Sequence, residues 1–160
     1  MLGYVVLGWS IGMYSGKPAG LAAEVATFAG ASKVGAATGA RHSLLRPETV
    51  ESLFVLWRTT GNARYREWGW AIFQAIETHC KVESGGYSGL QDVTSRRPLQ
   101  TGKMESFFTA ETPQYLYPLF GEPTTVPLDK HVFNTEAHPP GLHPDYHLRA
   151  GGGARCAAAR

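Results

Sequence analysis

The sequence predicts an all-α domain. Two central segments repeat apolar residues at three- and four-residue spacing, a Gly-Asn break joins them as a hairpin, and a third helix is signalled near Lys103. At 160 residues, with 43% hydrophobic and 18% charged residues, the chain suffices for one compact domain with a modest core.

The opening residues 2–14 form an apolar run without a clean period, interrupted by Gly3, Gly8 and Gly12, and read as a helix or a buried strand, with the helix favoured. They lack a basic leading region and fall short of the roughly 20 residues that span a bilayer, so they read as neither signal nor anchor. Residues 15–40, rich in Gly and Ala, are expected to be a loop. After Pro47, the residues Val50, Leu53, Phe54 and Trp57 share one helical face, and Gly61 supplies a stop. Asn62 caps the next helix, where Tyr65, Trp68, Ile72, Ala75, Ile76 and His79 repeat the period.

The cluster Gly85 to Gly89 predicts a turn, with a brief strand over 87–90. In the third helix Phe107, Glu111 and Tyr115 fall on one face at four-residue intervals. Pro113 and Pro118 interrupt that helix, and an interior proline costs about 3 kcal/mol. The expected result is a break after Glu111 that takes Tyr115 and Leu119 out of register. The domain is expected to occupy residues 1–138 and to be followed by a disordered tail over 139–160, which carries a glycine and an alanine run.

The net charge of +2 is small and its basic residues are dispersed, so a nucleic-acid partner is not expected. Cys80 and Cys156 are the only cysteines, which excludes a disulfide framework and a four-cysteine zinc site while leaving a single bridge open. Cys80, at the end of an amphipathic helix, reads as a small buried apolar residue. His42, His79, His131, His143 and His147 lack metal-site spacing.

Glu48 and Glu51 are three residues apart and share a helix face, and Glu48 lies in the first turn, where the helix N-terminus favours negative charge. An ionised carboxylate is what a general base requires. The plainer reading is a helix-stabilising charge worth a few tenths of a kcal/mol. Arg46 is suited to bidentate bonding of a substrate or of these carboxylates, or to an ordinary surface ion pair. Taken alone, Phe107 and Glu111 read as a core aromatic beside a solvated carboxylate. Thr135 and Glu136 place a hydroxyl and a carboxylate where a hard cation can be held, though the pair alone is an ordinary strand end.

These residues belong to an ordered series: Met13-Tyr14, Pro18-Ala19-Gly20-Leu21, Leu45 to Ser52, Trp68-Gly69-Trp70, Gly85-Gly86-Tyr87-Ser88-Gly89, Met104 to Thr112 and Val132 to His138. The series resembles glycoside hydrolase family 47, the class I α-1,2-mannosidases that trim mannose from N-linked glycans. The resemblance implies an α/α barrel, of which this chain would supply a partial one, with short β segments near the C-terminus. It implies Glu48 as the catalytic base of an inverting reaction, with Arg46, Glu51, Phe107, Glu111 and Glu136 on the substrate. It also implies a Ca2+ ion bound by the carbonyl and hydroxyl of Thr135 with water completing the shell, and leaves His138 a structural hydrogen-bonding role.

The implied substrate is a high-mannose N-glycan, the implied compartment the endoplasmic reticulum or Golgi lumen, and the parent protein membrane-anchored, although this chain contains no span. The family's acid and a further carboxylate would lie upstream of the residues present, so the chain is expected to be an inactive C-terminal part of the catalytic domain. The two prolines, the bland stretch 29–40 and Pro139-Pro140-Gly141 depart from the family pattern. A non-catalytic mannose-binding quality-control relative and a non-functional remnant are the alternatives.

Overall fold

A computed structural model describes residues 11–28 and 34–142. Its centre is the expected hairpin. Helix α1 (Glu48–Thr60) follows Pro47 directly and buries Val50, Leu53 and Phe54. Gly61 ends it in the left-handed conformation, φ 68°, and donates its N–H to the Trp57 carbonyl at 2.8 Å. Asn62 Oδ1 then accepts the Arg64 N–H at 3.1 Å and so caps α2 (Arg64–His79). Helix α2 buries Tyr65, Gly69, Ile72 and Ile76, with Trp68, Ala75 and His79 half-buried beside them.

The third helical stretch is two helices, α3 (Ser106–Ala110) and α4 (Thr112–Phe120), broken at Glu111. The break matches the expectation; the expected loss of register does not occur. Tyr115 and Leu119 are both fully buried. Pro113 sits in the first turn of α4, where a missing N–H breaks no intrahelical bond. The Tyr115 N–H still reaches the Glu111 carbonyl at 3.0 Å. Pro118 does lie inside α4, but it is buried, and its carbonyl accepts Arg58 Nη2 at 3.1 Å.

Helix α4 is also closed by arginines from both members of the hairpin. Arg58 of α1 donates to the carbonyls of Pro123 (2.5 Å), Glu122 and Thr125, and Arg66 of α2 to that of Phe120 at 2.7 Å. Cations placed at the carbonyl end of a helix satisfy its orphan acceptors and its dipole. Beneath them, the rings of Phe54, Tyr115 and Phe133 meet at centroid distances of 5.1–6.1 Å and join α1, α4 and the C-terminal segment into one core. Helices α2 and α4 approach so closely at Gly69 that a Cβ there would lie 2.4 Å from Leu119 Cδ2.

The expected loop over 15–40 contains a small antiparallel hairpin, β1 (Ala26–Phe28) with β2 (Val34–Ala36), in the register Ala26↔Ala36. Three-residue strands with Phe28 exposed leave no period to read in the sequence. The only described sheet therefore precedes α1 and is not near the C-terminus. At the C-terminal end the described pairing is an isolated bridge, His131↔Gly141, and the brief strand expected over 87–90 is likewise a set of single bridges, Lys81↔Tyr87 and Leu90 with Ser43 and Gln100.

The first part of the expected disordered tail is ordered, because the Val132 N–H donates to Pro140 O at 3.1 Å and the Leu142 N–H to Lys130 O at 2.8 Å. The rest of the tail, with Cys156, His143 and His147, lies outside the described residues, as do residues 2–10 of the opening run; residues 11–15 are helical. Cys80 is a free, fully buried thiol, as read from the sequence, and burial pushes its pKa up to about 12. No described helix is long and apolar enough to cross a membrane.

Candidate active site

The segment between β2 and α1 positions the first group of polar residues. The Glu24 N–H donates to His42 O at 2.9 Å, the Leu44 N–H returns to Glu24 Oε1 at 2.8 Å, and Arg46 Nε–H donates to Glu24 Oε2 at 2.5 Å. Glu24 is 12% exposed and Arg46 49%. Between these two anchors Leu45 turns through a left-handed conformation, φ 63°, with its side chain buried. Its carbonyl accepts the Thr112 hydroxyl at 2.8 Å, in the interior.

A non-glycine residue in this region costs about 1–3 kcal/mol unless its surroundings hold it. Here two side chains do so, and the consequence is a guanidinium directed over the half-buried Phe107 ring, with Cζ 5.2 Å from the centroid. Glu48 is exposed in the first turn of α1 and Glu51 is half-buried one turn later.

Glu111 occupies the break between α3 and α4. Its carboxyl is held above the ordinary range by burial first, and then by the negative charges of Glu136, Glu48 and Glu51. The structure thus groups four of the sequence-expected carboxylates. Tyr115 ties this group to the C-terminal loop, because its hydroxyl interacts with Glu51 and reaches the Asn134 carbonyl at 3.4 Å. Burial and then Glu51 raise the Tyr115 pKa.

The loop itself is closed by Asn134, whose Oδ1 accepts the N–H groups of Glu136 (3.0 Å) and His138 (2.9 Å). Ala137, buried and at φ 59°, makes the tight turn that leaves Thr135 and Glu136 exposed. His138 contributes to this closure through its backbone N–H and carbonyl.

Glu24 was not singled out from the sequence, and Tyr14 was named only within the ordered series, without a role. Glu24 and Tyr14 line, with Met13, Arg46 and Glu48, a polar pocket of about 160 Å³. The Tyr14 hydroxyl is raised chiefly by burial, against a lowering hydrogen bond from Thr49, with smaller upward contributions from Glu48 and Glu24. Glu24 lies 22 residues from its ion-pair partner, so no local period exposes it. Its one sequence signal is its place three residues after the motif Pro18 to Leu21. An apolar cavity of about 500 Å³, lined by Phe73, Ile76, Tyr87, Phe108, Leu116 and Phe120 among others, shares no residue with the polar group.

Among the described residues no three His, Cys, Asp or Glu side chains are placed to cage a metal. A hard cation would therefore rest on oxygens such as the Thr135 carbonyl and hydroxyl together with water. The donor set is of the right chemistry for that, since Ca2+ takes six to eight oxygens. Glu111, raised by burial first and then by the negative charges of its neighbours, is a carboxylate whose ionised form a divalent charge close by would favour.

Residues 5–140 match glycosyl hydrolase family 47. Mannosyl-oligosaccharide 1,2-alpha-mannosidase MNS3 of Arabidopsis thaliana is 62% identical over 99 residues, 62% of this chain and 16% of that protein. MNS1 of the same plant is 50% identical over 134 residues, covering 83% of this chain and 23% of its own length. The endoplasmic reticulum mannosyl-oligosaccharide 1,2-alpha-mannosidase of Homo sapiens is 54% identical over 101 residues, 62% of this chain and 14% of that protein. The solved alpha-1,2-mannosidase from Trichoderma reesei matches 86% of this chain and 33% of its own, with a TM-score of 0.77 at 31% identity. The chain spans a third or less of each of these proteins.

Proposed function

The chain belongs to glycosyl hydrolase family 47, and from that premise we propose that it forms the base-and-calcium side of a calcium-dependent, inverting α-1,2-mannosidase site acting on high-mannose N-glycans. The observation that carries this reading is the grouping of Glu48, Glu51, Glu111 and Glu136 near one another, with Arg46 held over Phe107. In an inverting hydrolysis one carboxylate removes a proton from water on the face of the sugar opposite the leaving group, while an acid protonates the leaving oxygen. Glu48 takes the first role: it is exposed in the first turn of α1.

Phe107 offers its ring to the apolar face of mannose. Arg46, Glu51, Glu111 and Glu136 bond its hydroxyls, charged acceptors and donors being stronger partners than neutral ones. Thr135 would hold Ca2+ through its carbonyl and hydroxyl. Bound there, the ion would supply a hard positive charge that orders water and hydroxyl oxygens.

The acid is assigned to the remainder of a family-47 domain, which makes this chain a partial α/α barrel that binds sugar without cleaving it. Relatives named as mannosidases at 50–62% identity favour this over a purely non-catalytic lineage. The endoplasmic reticulum or Golgi lumen, glycoprotein quality control and a membrane-anchored parent belong to the same proposal. Titration calorimetry of the full chain with an α-1,2-linked mannose disaccharide, with calcium and with chelator, tests it. Calcium-dependent binding without release of mannose is expected. Release of mannose overturns the assignment of the acid to residues outside this chain, and no binding with or without calcium overturns the site.

A further inference from the structure

We propose that Glu24 is a positioning residue of the sugar site, fixing the Arg46 guanidinium over Phe107 so that it meets a mannose hydroxyl in one orientation. Glu24 divides its two oxygens between the Leu44 N–H at 2.8 Å and Arg46 Nε–H at 2.5 Å. The first bond fixes the carboxylate to the backbone one residue before the strained Leu45. The second fixes the plane of the guanidinium, because a donor at Nε is rigidly part of that plane. The 5.2 Å approach of Arg46 to the Phe107 ring follows from a side chain held at both its bond and its face.

Magnitudes separate orientation from stability here. Arg46 is half exposed, and a solvent-screened ion pair of this kind contributes little to folding. An unrestrained arginine side chain carries rotamer entropy that a sugar would have to remove on binding. The pair therefore matters more to ligand affinity than to the fold. Glu24 itself does not touch the sugar in this scheme; it acts through Arg46.

The inference rests on the sugar-site reading above, and its test keeps the two apart. In the 15N-labelled full chain, the Arg46 Nε–H resonance is expected to be protected from exchange and to lose that protection in Glu24→Gln at an unchanged thermal midpoint. Persistence of the protection in the variant refutes the positioning role, whether or not sugar binds. Where the wild-type chain binds the mannose disaccharide, Glu24→Gln should weaken binding about tenfold, as expected for one charged hydrogen bond. In an Arg46→Ala background it should have no further effect. An equal loss in both backgrounds would mean that Glu24 supports the fold or contacts sugar directly, and would also refute the proposal. Failure of the wild-type chain to bind sugar would fall on the sugar-site reading alone, the exchange measurement still deciding the role of Glu24.

Discussion

Replacing Thr112 by valine should destabilise the chain by about 1–3 kcal/mol, the cost of leaving a buried acceptor without its donor. The Thr112 hydroxyl lies in the interior, 1% exposed, and donates to the Leu45 carbonyl at 2.8 Å. Valine keeps the volume and the β-branch, so packing is nearly conserved while the bond is lost. It also removes one of the two holds on Leu45, whose left-handed backbone costs about 1–2 kcal/mol by itself.

Urea unfolding measures this directly: the midpoint should fall with the slope unchanged. Thr112→Ser is the control. It keeps the hydroxyl and gives up one methyl group, about 0.8 kcal/mol of burial. A valine variant as stable as the wild type, or a serine variant that loses as much as valine, would refute the claim that this hydrogen bond pins Leu45. With the pin gone, Arg46 is no longer aimed from a fixed backbone, so sugar affinity should fall together with stability.

Two further outcomes follow from the packing and the charges. Gly69→Ala sets a Cβ 2.4 Å from Leu119 Cδ2, and overpacking of about 1–3 kcal/mol should outweigh the roughly 1 kcal/mol that alanine gains over glycine in a helix. In a Leu119→Ala background the same change should stabilise, and calorimetric unfolding that shows a loss in both backgrounds would rule out this contact as the cause. Glu111 is raised above its ordinary 4.5, so the folded chain holds this proton more tightly than the unfolded chain. Its contribution to stability is full below the ordinary value and is lost as pH rises through the raised one. Glu111→Gln should therefore gain thermal stability over the wild type between about pH 4 and pH 7, measured without calcium. A difference that does not change with pH would refute the burial and charge crowding that raise this carboxyl.

The helical hairpin was legible because its information is local. Spacing of Val50, Leu53 and Phe54, the left-handed Gly61 and the capping Asn62 each act within one or two turns. The same locality misled at the prolines. An interior proline is costly, but whether Pro113 is interior depends on where α4 begins, and that is set by Glu111 and by the tie from Thr112 to Leu45, 67 residues away. The β1–β2 hairpin escaped for the opposite reason, being too short and too exposed to impose alternation. At the candidate site the residue types were readable as motifs, but their grouping was not. Glu24 finds Arg46, Arg46 finds Phe107 and Tyr115 finds Asn134 only once the segments before α1, at the α3–α4 break and after α4 have folded against one another.

Of the three non-glycine left-handed residues among those described, Leu45, Val126 and Ala137, the first and last each stand directly beside a candidate site residue, Arg46 and Glu136. Backbone strain of this kind persists only where surrounding contacts over-determine it. Both are over-determined from within the core, Leu45 by the Thr112 hydroxyl and its own burial, Ala137 by burial beside the Asn134-closed turn. The two strained turns are also linked through Tyr115, which lies three residues after Thr112 in α4 and whose hydroxyl reaches the Asn134 carbonyl. One short helix thus holds both polar turns, and a change inside α4 should move the Arg46 and Thr135 sides of the candidate site together. That places the vulnerability of the site in a buried threonine and a buried tyrosine more than in its exposed glutamates.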